Sequence, residues 1–290
     1  MRHWPGIAIG AAAIACAPLA SATQTAPTPI LYSPHGISSD QFESHPAFDP
    51  MTGNLLFVRS SPQFQGWRIW RSHCTSGGWA QAQPAEFGAE GVDADPFFTP
   101  DGRHLYFISS RPDPPMKTGS DLDIWRMDRN SSGRWAPPVR LPAPINSSAE
   151  EWFPRLAAEG RLYFGSSRPG GHGQTDIYSA ELVAGAWRVT NLGGEVNTAG
   201  DEYEFEPARR GRFAVLMADG RLFRVERTDR GWAGRTAIAT GHDGFHVGPL
   251  LSPSGRTLFF ARAAPPQSGE LFRLAVHGRP EAWPPACPLR

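Results

Sequence analysis

Apolar positions fall in short runs along the chain, each bounded by a turn and followed by a second run that contains an aromatic. Leu55-Leu56-Phe57-Val58 precedes Ile69-Trp70, Leu105-Tyr106-Phe107 precedes Ile124-Trp125, and Leu162-Tyr163-Phe164 precedes Ile177-Tyr178. Weaker copies follow at Leu222-Phe223 and at Leu258-Phe259-Phe260 with Leu271-Phe272. Runs this short, separated by turns such as Pro100-Asp101-Gly102 and Glu159-Gly160, predict strands rather than helices. An acid or histidine and then a proline lead into each copy: Glu43 and Pro46, Asp93 and Pro96, Glu151 and Pro154, Glu204 and Pro207, His246 and Pro249. The prolines recur at close to the roughly 40 to 50 residues of a propeller blade, and Trp79, Trp135, Trp187, Trp232 and Trp283 close the copies. Four short strands cannot bury both faces alone, so radial stacking into an all-β propeller follows. Five four-stranded blades are expected, six being the alternative if one blade lies in sequence that does not align.

The repeat also resembles a known family. An acid, two positions, Pro, then Asp-Gly, Leu-Tyr-Phe, Ser-Ser-Arg and Asp-Ile-Trp or Asp-Ile-Tyr is similar to the WD-like propeller repeats of TolB and its relatives. Residues 93–125 and 151–178 match closely, 43–70 partly and the last two copies loosely. The resemblance spans residues 39–290, expected to be one propeller domain, and the amino-terminal domain that TolB places before its propeller is not expected here. Such propellers serve as binding platforms, as accessory domains and in a few cases as enzymes, so the resemblance implies fold more than function.

Residues 1–22 have the basic start, apolar run and Ala20-Ser21-Ala22 ending of a secretory signal peptide. Residues 23–38 follow as a linker and ring-closing segment. Cys16 offers a lipobox-like alternative that would make an outer-membrane lipoprotein, so a periplasmic or secreted location is expected either way. No run reaches the roughly 20 apolar residues of a membrane span. Lys plus Arg and Asp plus Glu each total 28, a balance that disfavours nucleic acid as a partner. Cys74 and Cys287 fall on neighbouring blades, with Cys287 expected on the outer strand of blade five. A disulfide between them depends on a Cα separation of about 4.4–6.8 Å.

Propeller topology places Glu43, Asp93, Glu151, Glu204 and His246 at one mouth of the channel, with the 61–66, 112–120, 169–175 and 263–269 loops on the same face. Function is expected there, because rigid scaffolds present binding residues on loops. Glu43, Asp93, Glu151 and Glu204 are expected to accept hydrogen bonds from free N–H groups at the inner strands. Arg111 is expected to reach Asp123, and Arg168 to reach Asp176. Asp95, Glu150, Glu202 and Glu206 are not required by the repeat, and with Trp152 and Tyr203 they form the candidate ligand site for a cation, a basic peptide or Ca²⁺. His45, His242 and His246 suggest a transition-metal option. No catalytic residue is identified, and no cofactor is implied by any motif.

No nucleophile elbow, phosphate loop or His-Glu-x-x-His is present. The leading expectation is an exported envelope platform, monomeric, that binds a protein, peptide or glycan. The alternative is a polysaccharide-active enzyme, a hydrolase or lyase, with two mouth carboxyls about 5–9.5 Å apart.

Overall fold

A computed structural model describes residues 27–290 except 115, 116, 118, 265, 266, 279, 280, 282, 285, 286 and 288–290. The expected signal segment and Cys16 lie outside the described residues. Five antiparallel four-stranded sheets are present, and no helix occurs among the described residues. Blade one comprises Phe42–Phe48, Leu55–Ser60, Arg68–Ser72 and Gln83–Pro84. Blade two comprises Asp93–Phe98, His104–Ser109, Asp123–Asp128 and Val139–Arg140. Blade three comprises Glu151–Leu156, Leu162–Ser166, Asp176–Val183 and Ala186–Asn191. Blade four comprises Glu202–Pro207, Phe213–Ala218, Arg221–Thr228 and Gly231–Ala237. Blade five comprises His246–Leu251, Thr257–Ala264, Gln267–Ala275 and the amino-terminal Ile30–Tyr32. Each inner strand touches the inner strands of its two neighbours, and the fifth touches the first, so the ring closes at five rather than six.

The outer strand of blade five corrects one expectation. Ile30–Tyr32 pairs with Gln267–Ala275, so the edge comes from the amino-terminal segment and not from the segment carrying Cys287. Cys287 instead forms a disulfide with Cys74, with a Cα separation of 5.4 Å. Trp79 Nε1 donates to the Tyr32 hydroxyl at 3.1 Å, which ties the same edge to blade one. The second strand of each blade is almost wholly buried, and aromatics fill the gaps between blades. Tyr163 of blade three, for example, packs against Phe205 and Trp232 of blade four.

The inner strands share an irregularity that shapes the channel. In blades one, two, three and five the residue before the proline has a left-handed backbone: His45 (φ 47°), Asp95 (φ 53°), Phe153 (φ 49°) and Gly248 (φ 64°). The ladder breaks around each of these positions. Proline cannot donate to a ladder and is therefore confined to such bulges or to edges. At Gly248 a Cβ would stand 2.6 Å from the His45 backbone nitrogen, so only glycine lets strands five and one approach this closely.

Blade four departs from that pattern and corrects the expected register. The chain has Phe205 three positions after Glu202, and Pro207 sits at the strand end opposite Ala214. Glu202, not Glu204, therefore occupies the repeat-acid position. It accepts from Thr198 N at 2.9 Å and Thr198 Oγ1 at 2.7 Å. Glu43 does the same with Ser39, Glu151 with Ser147, and Asp93 with Ala89 N.

The arginines also latch differently from the expectation. Arg111 pairs with Asp93 at 2.7 Å and Arg168 with Glu151 at 3.0 Å, rather than with Asp123 and Asp176. Each guanidinium folds back over its own blade's aromatics, Phe107 and Trp125 or Phe164 and Tyr178, and this brings it to the inner-strand acid. Asp123 is held by Arg140 and Lys117, and Asp176 accepts from the 172 and 173 amides and from Asn191. Charge-assisted bonds of this kind fix loop geometry inside each blade.

Candidate functional site

Two consecutive positions on each inner strand build the channel mouth. The residue after the repeat acid forms the wall: Ser44, Ala94, Trp152, Tyr203 and Val247 in blade order. The next residue forms the floor: His45, Asp95, Phe153, Glu204 and Gly248. Small wall residues on blades one and two leave space above them. The blade-one loop fills part of it with Phe64 and Trp67, giving a cavity of about 240 Å³ at this end.

The floor is a closed hydrogen-bond network. His45 Nε2 lies 2.8 Å from Glu204 Oε1 and 3.2 Å from Asp95 Oδ1, and its Nδ1 lies 2.8 Å from Ser44 Oγ. The second oxygen of each acid accepts a neighbouring blade's floor amide: Phe153 N to Asp95 Oδ2 at 2.9 Å and Gly248 N to Glu204 Oε2 at 2.8 Å. All three side chains are buried. Burial alone would lower the His45 pKa, but the Asp95 and Glu204 carboxylates outweigh it and hold the imidazole above its usual value, against the opposing charge of Arg155 on blade three.

A pH dependence follows from that direction. A histidine whose folded pKa is raised contributes stability that is complete below its ordinary value of 6.5 and is lost as pH rises through the folded value. Urea denaturation between about pH 6 and 9 should therefore show stability falling with pH, and His45→Gln should flatten that slope. An unchanged slope in His45→Gln would remove the charged-imidazole account of the floor.

The wall is aromatic. Phe64 and Trp67 have ring centroids 5.2 Å apart, and Trp67 meets Trp152 edge to face at 5.8 Å. Trp67 Nε1 donates to the Phe64 carbonyl at 2.8 Å, which fixes the indole. Phe64 itself has φ 59°, a strained backbone for a bulky residue, sustained by packing of its ring on Phe42, Trp67 and Phe245. Tyr203 completes the wall because Gly165 on blade three has no Cβ. One there would stand 2.6 Å from the Tyr203 carbonyl oxygen.

Three carboxylates face this cavity: Asp95, Glu204 and Asp201. Asp201 is held by Thr175 through one side, while its Oδ1 is buried with no hydrogen-bond partner among the described residues. Burial pushes the Asp201 carboxyl up, with Asp219 and Glu202 adding to the effect. The Tyr203 phenol is pushed up by burial first and then by the nearby acids Glu204, Asp201, Asp95 and Asp219.

Of the six residues expected to form the ligand site, Asp95, Trp152 and Tyr203 line this cavity. Glu150 sits half-buried outside it, its backbone bonded to Ser167 through Glu150 N to Ser167 Oγ at 3.2 Å and Ser167 N to the Glu150 carbonyl at 3.1 Å. Glu202 is the buried repeat acid of blade four and is paired with Arg235 at 2.9 Å. Glu206 lies toward the opposite end, where it accepts from Arg155 Nε at 2.7 Å and Leu251 N at 3.1 Å. Glu204, expected to cap a strand, stands in the floor. Pro207, three residues after Glu204, imitates the spacing of the other repeats and points to the wrong acid.

The three histidines do not come together. Among the described residues no three His, Cys, Asp or Glu side chains form a metal-holding group. His45 belongs to the floor. His242 and His246 have ring centroids 6.2 Å apart, and His246 takes the repeat-acid position of blade five. Without an acid there, His246 Nε2 and Arg262 Nε are buried without partners among the described residues.

Phe64, Trp67 and Asp201 were not singled out as site residues from the sequence. An aromatic pair flanking Gln65-Gly66 in a loop on the expected face was the available signal for the first two. Asp201 belongs to the run of acids expected near the mouth, but its neighbours Glu202, Glu204 and Glu206 present the same residue type, and the choice of ligand residues fell on Glu202 and Glu206.

No family model and no curated protein matches the chain. Solved structures similar to it include a TolB from Agrobacterium tumefaciens described as putative, at 16% identity and TM-score 0.49, covering 77% of this chain and 71% of that one. A gluconolactonase from Xanthomonas campestris is similar at 12% identity and TM-score 0.48, covering 86% of this chain and 96% of that one. A calcium-binding regucalcin from Agrobacterium tumefaciens is similar at 16% identity and TM-score 0.44, covering 76% and 67% respectively. Identities this low transfer neither ligand nor activity to the present chain, whose five-bladed propeller stands on its own strand pairing.

Proposed function

We propose that the protein is an exported binding platform that takes its ligand in the channel mouth walled by Trp67, Trp152 and Tyr203. The observation that carries this is the meeting of aromatic rings from blades one, three and four with three carboxylates in one cavity of about 240 Å³. Ligand sites combine apolar walls with a few convergent polar groups in this way. The opposite end of the channel is larger, about 430 Å³, but its buried charges are spent on one another: Arg155 on Glu206, and Asp49 on Arg129. At the mouth, Asp201 Oδ1 is unspent.

The floor acids favour binding over hydrolysis. Asp95 and Glu204 share one imidazole nitrogen, and each gives its remaining oxygen to a backbone amide. A glycosidase pair flanks its scissile bond with one carboxyl free to donate a proton. Export is supported by the signal pattern of residues 1–22 and by the disulfide, since such bonds persist in oxidising compartments.

Affinity capture from envelope extract tests the placement. Trp152→Leu is expected to lower recovery of the captured ligand at least tenfold, a loss of about 1.4 kcal/mol or more. Arg209→Ala, at the opposite end, should leave recovery unchanged. Retention in Trp152→Leu with loss in Arg209→Ala would move the site to the other mouth.

A further inference from the structure

We infer that the mouth cavity recognises a quaternary ammonium group, held by cation–π contact with Trp67, Trp152 and Tyr203 over the negative floor. This rests on the mouth being the binding site and names the chemistry it selects.

Three observations converge. First, size: about 240 Å³ lies below the roughly 300–1,000 Å³ of pockets for drug-sized ligands, so it admits one headgroup or side chain and not an oligosaccharide. Second, sign: Asp95, Glu204 and Asp201 face the space and His45 alone among the lining residues offers a compensating charge. Cations are therefore favoured, and aromatic faces within about 6 Å of a cation add to the attraction.

Third, the acceptors are mostly occupied. Both oxygens of Asp95 and both of Glu204 already take hydrogen bonds or the imidazole contact. A lysine ammonium needs three directional partners and a guanidinium up to five. Neither finds them here, and each would arrive with an unpaid desolvation cost. A quaternary nitrogen presents charge without donors, so it uses the field of the floor while its carbon surface meets Val58, Ala94, Val247 and the rings. Asp201 Oδ1, buried without a hydrogen-bond partner among the described residues, adds to that field. Choline and the trimethylammonium of a methylated lysine side chain both present such a nitrogen, the first with one hydroxyl beside it and the second with no donor at all.

Tryptophan fluorescence titration of the mature protein tests this with matched probes. Choline and its neutral carbon isostere 3,3-dimethyl-1-butanol differ in charge alone, and lysine supplies a primary ammonium with three N–H donors. Choline is expected to give a saturable change, with the isostere and lysine at least tenfold weaker. Trp67→Leu and Trp152→Leu should each abolish it, and Asp201→Asn, which leaves the wall intact, should weaken it severalfold. A peptide carrying Nε-trimethyllysine distinguishes the source: tighter binding than choline identifies a modified protein partner, and weaker binding a free small cation, and both support the ammonium class. Equal affinity for choline and its isostere, or choline binding unchanged in both tryptophan variants, overturns the inference. If choline fails while ligand capture still depends on Trp152, the ammonium inference falls and the mouth remains the site. If capture is independent of Trp152 as well, both fall.

Discussion

Glu204→Ala is expected to destabilise the propeller by about 3–5 kcal/mol, the cost of leaving one member of a buried pair uncompensated. The substitution removes the closer of the two acceptors on His45 Nε2, at 2.8 Å, and the acceptor of the Gly248 amide, also at 2.8 Å. Gly248 is held in a left-handed backbone, and the space where a Cβ would stand is taken by the His45 backbone, so the inner strand of blade five lies close against that of blade one. Water would have to enter a site where Glu204 is 2% exposed and His45 5% exposed. Glu204→Gln keeps an acceptor and loses the charge, so its cost should be smaller, about 1–3 kcal/mol for a weakened buried hydrogen bond. Glu150→Ala, at a half-buried position outside the floor, should fall within about 0.5 kcal/mol of the unsubstituted protein. Urea midpoints at constant m-value give all three numbers. A loss below about 1 kcal/mol for Glu204→Ala would mean that the floor network is dispensable and that the ring is held by inter-blade packing alone.

The blade period was legible because each blade repeats the same burial problem. Apolar runs such as Leu105-Tyr106-Phe107 mark central strands, and nothing but a strand stacked on both sides buries them. The acid-x-x-Pro pattern located the bulges of four blades for a physical reason, since proline must leave the ladder. It failed in blade four because Pro207 satisfies its own constraint at a strand end, and it transferred the structural role from Glu202 to Glu204. Side-chain partners across blades were not legible at all. His45, Asp95 and Glu204 come from blades one, two and four, and only the ring geometry brings them to one nitrogen. Arg111 and Arg168 show the same limit within a blade: spacing pointed to Asp123 and Asp176, and stacking on Phe107 or Phe164 turns each guanidinium to Asp93 or Glu151 instead. Trp152 and Tyr203 were identifiable as flanking the mouth. Their partners Phe64 and Trp67 depend on a loop conformation that includes a left-handed phenylalanine, which sequence pattern disfavours.

Loss of the Cys74–Cys287 bond is expected to lower stability by up to about 5 kcal/mol, since the bond closes a loop with a sequence separation of 213 residues and restricts the unfolded chain accordingly. The folded ring should change little. Blade five is closed by two devices that do not depend on each other: the strand Ile30–Tyr32 laid along Gln267–Ala275, and the disulfide from the blade-one hairpin to Cys287. Aromatic packing of Phe48 on Trp283 and the bond from Trp79 to Tyr32 hold the same seam without covalent help. Far-UV circular dichroism of Cys74→Ser/Cys287→Ser should therefore match that of the oxidised protein, while its urea midpoint falls. The effect should also appear on adding a reductant to the unsubstituted protein and vanish in the double variant. Two free thiols in non-reducing peptide maps of the exported protein would refute the bond. A difference below about 1 kcal/mol with the bond present would show that the unfolded chain already holds its ends together, because the entropic gain requires an unfolded state free to separate them.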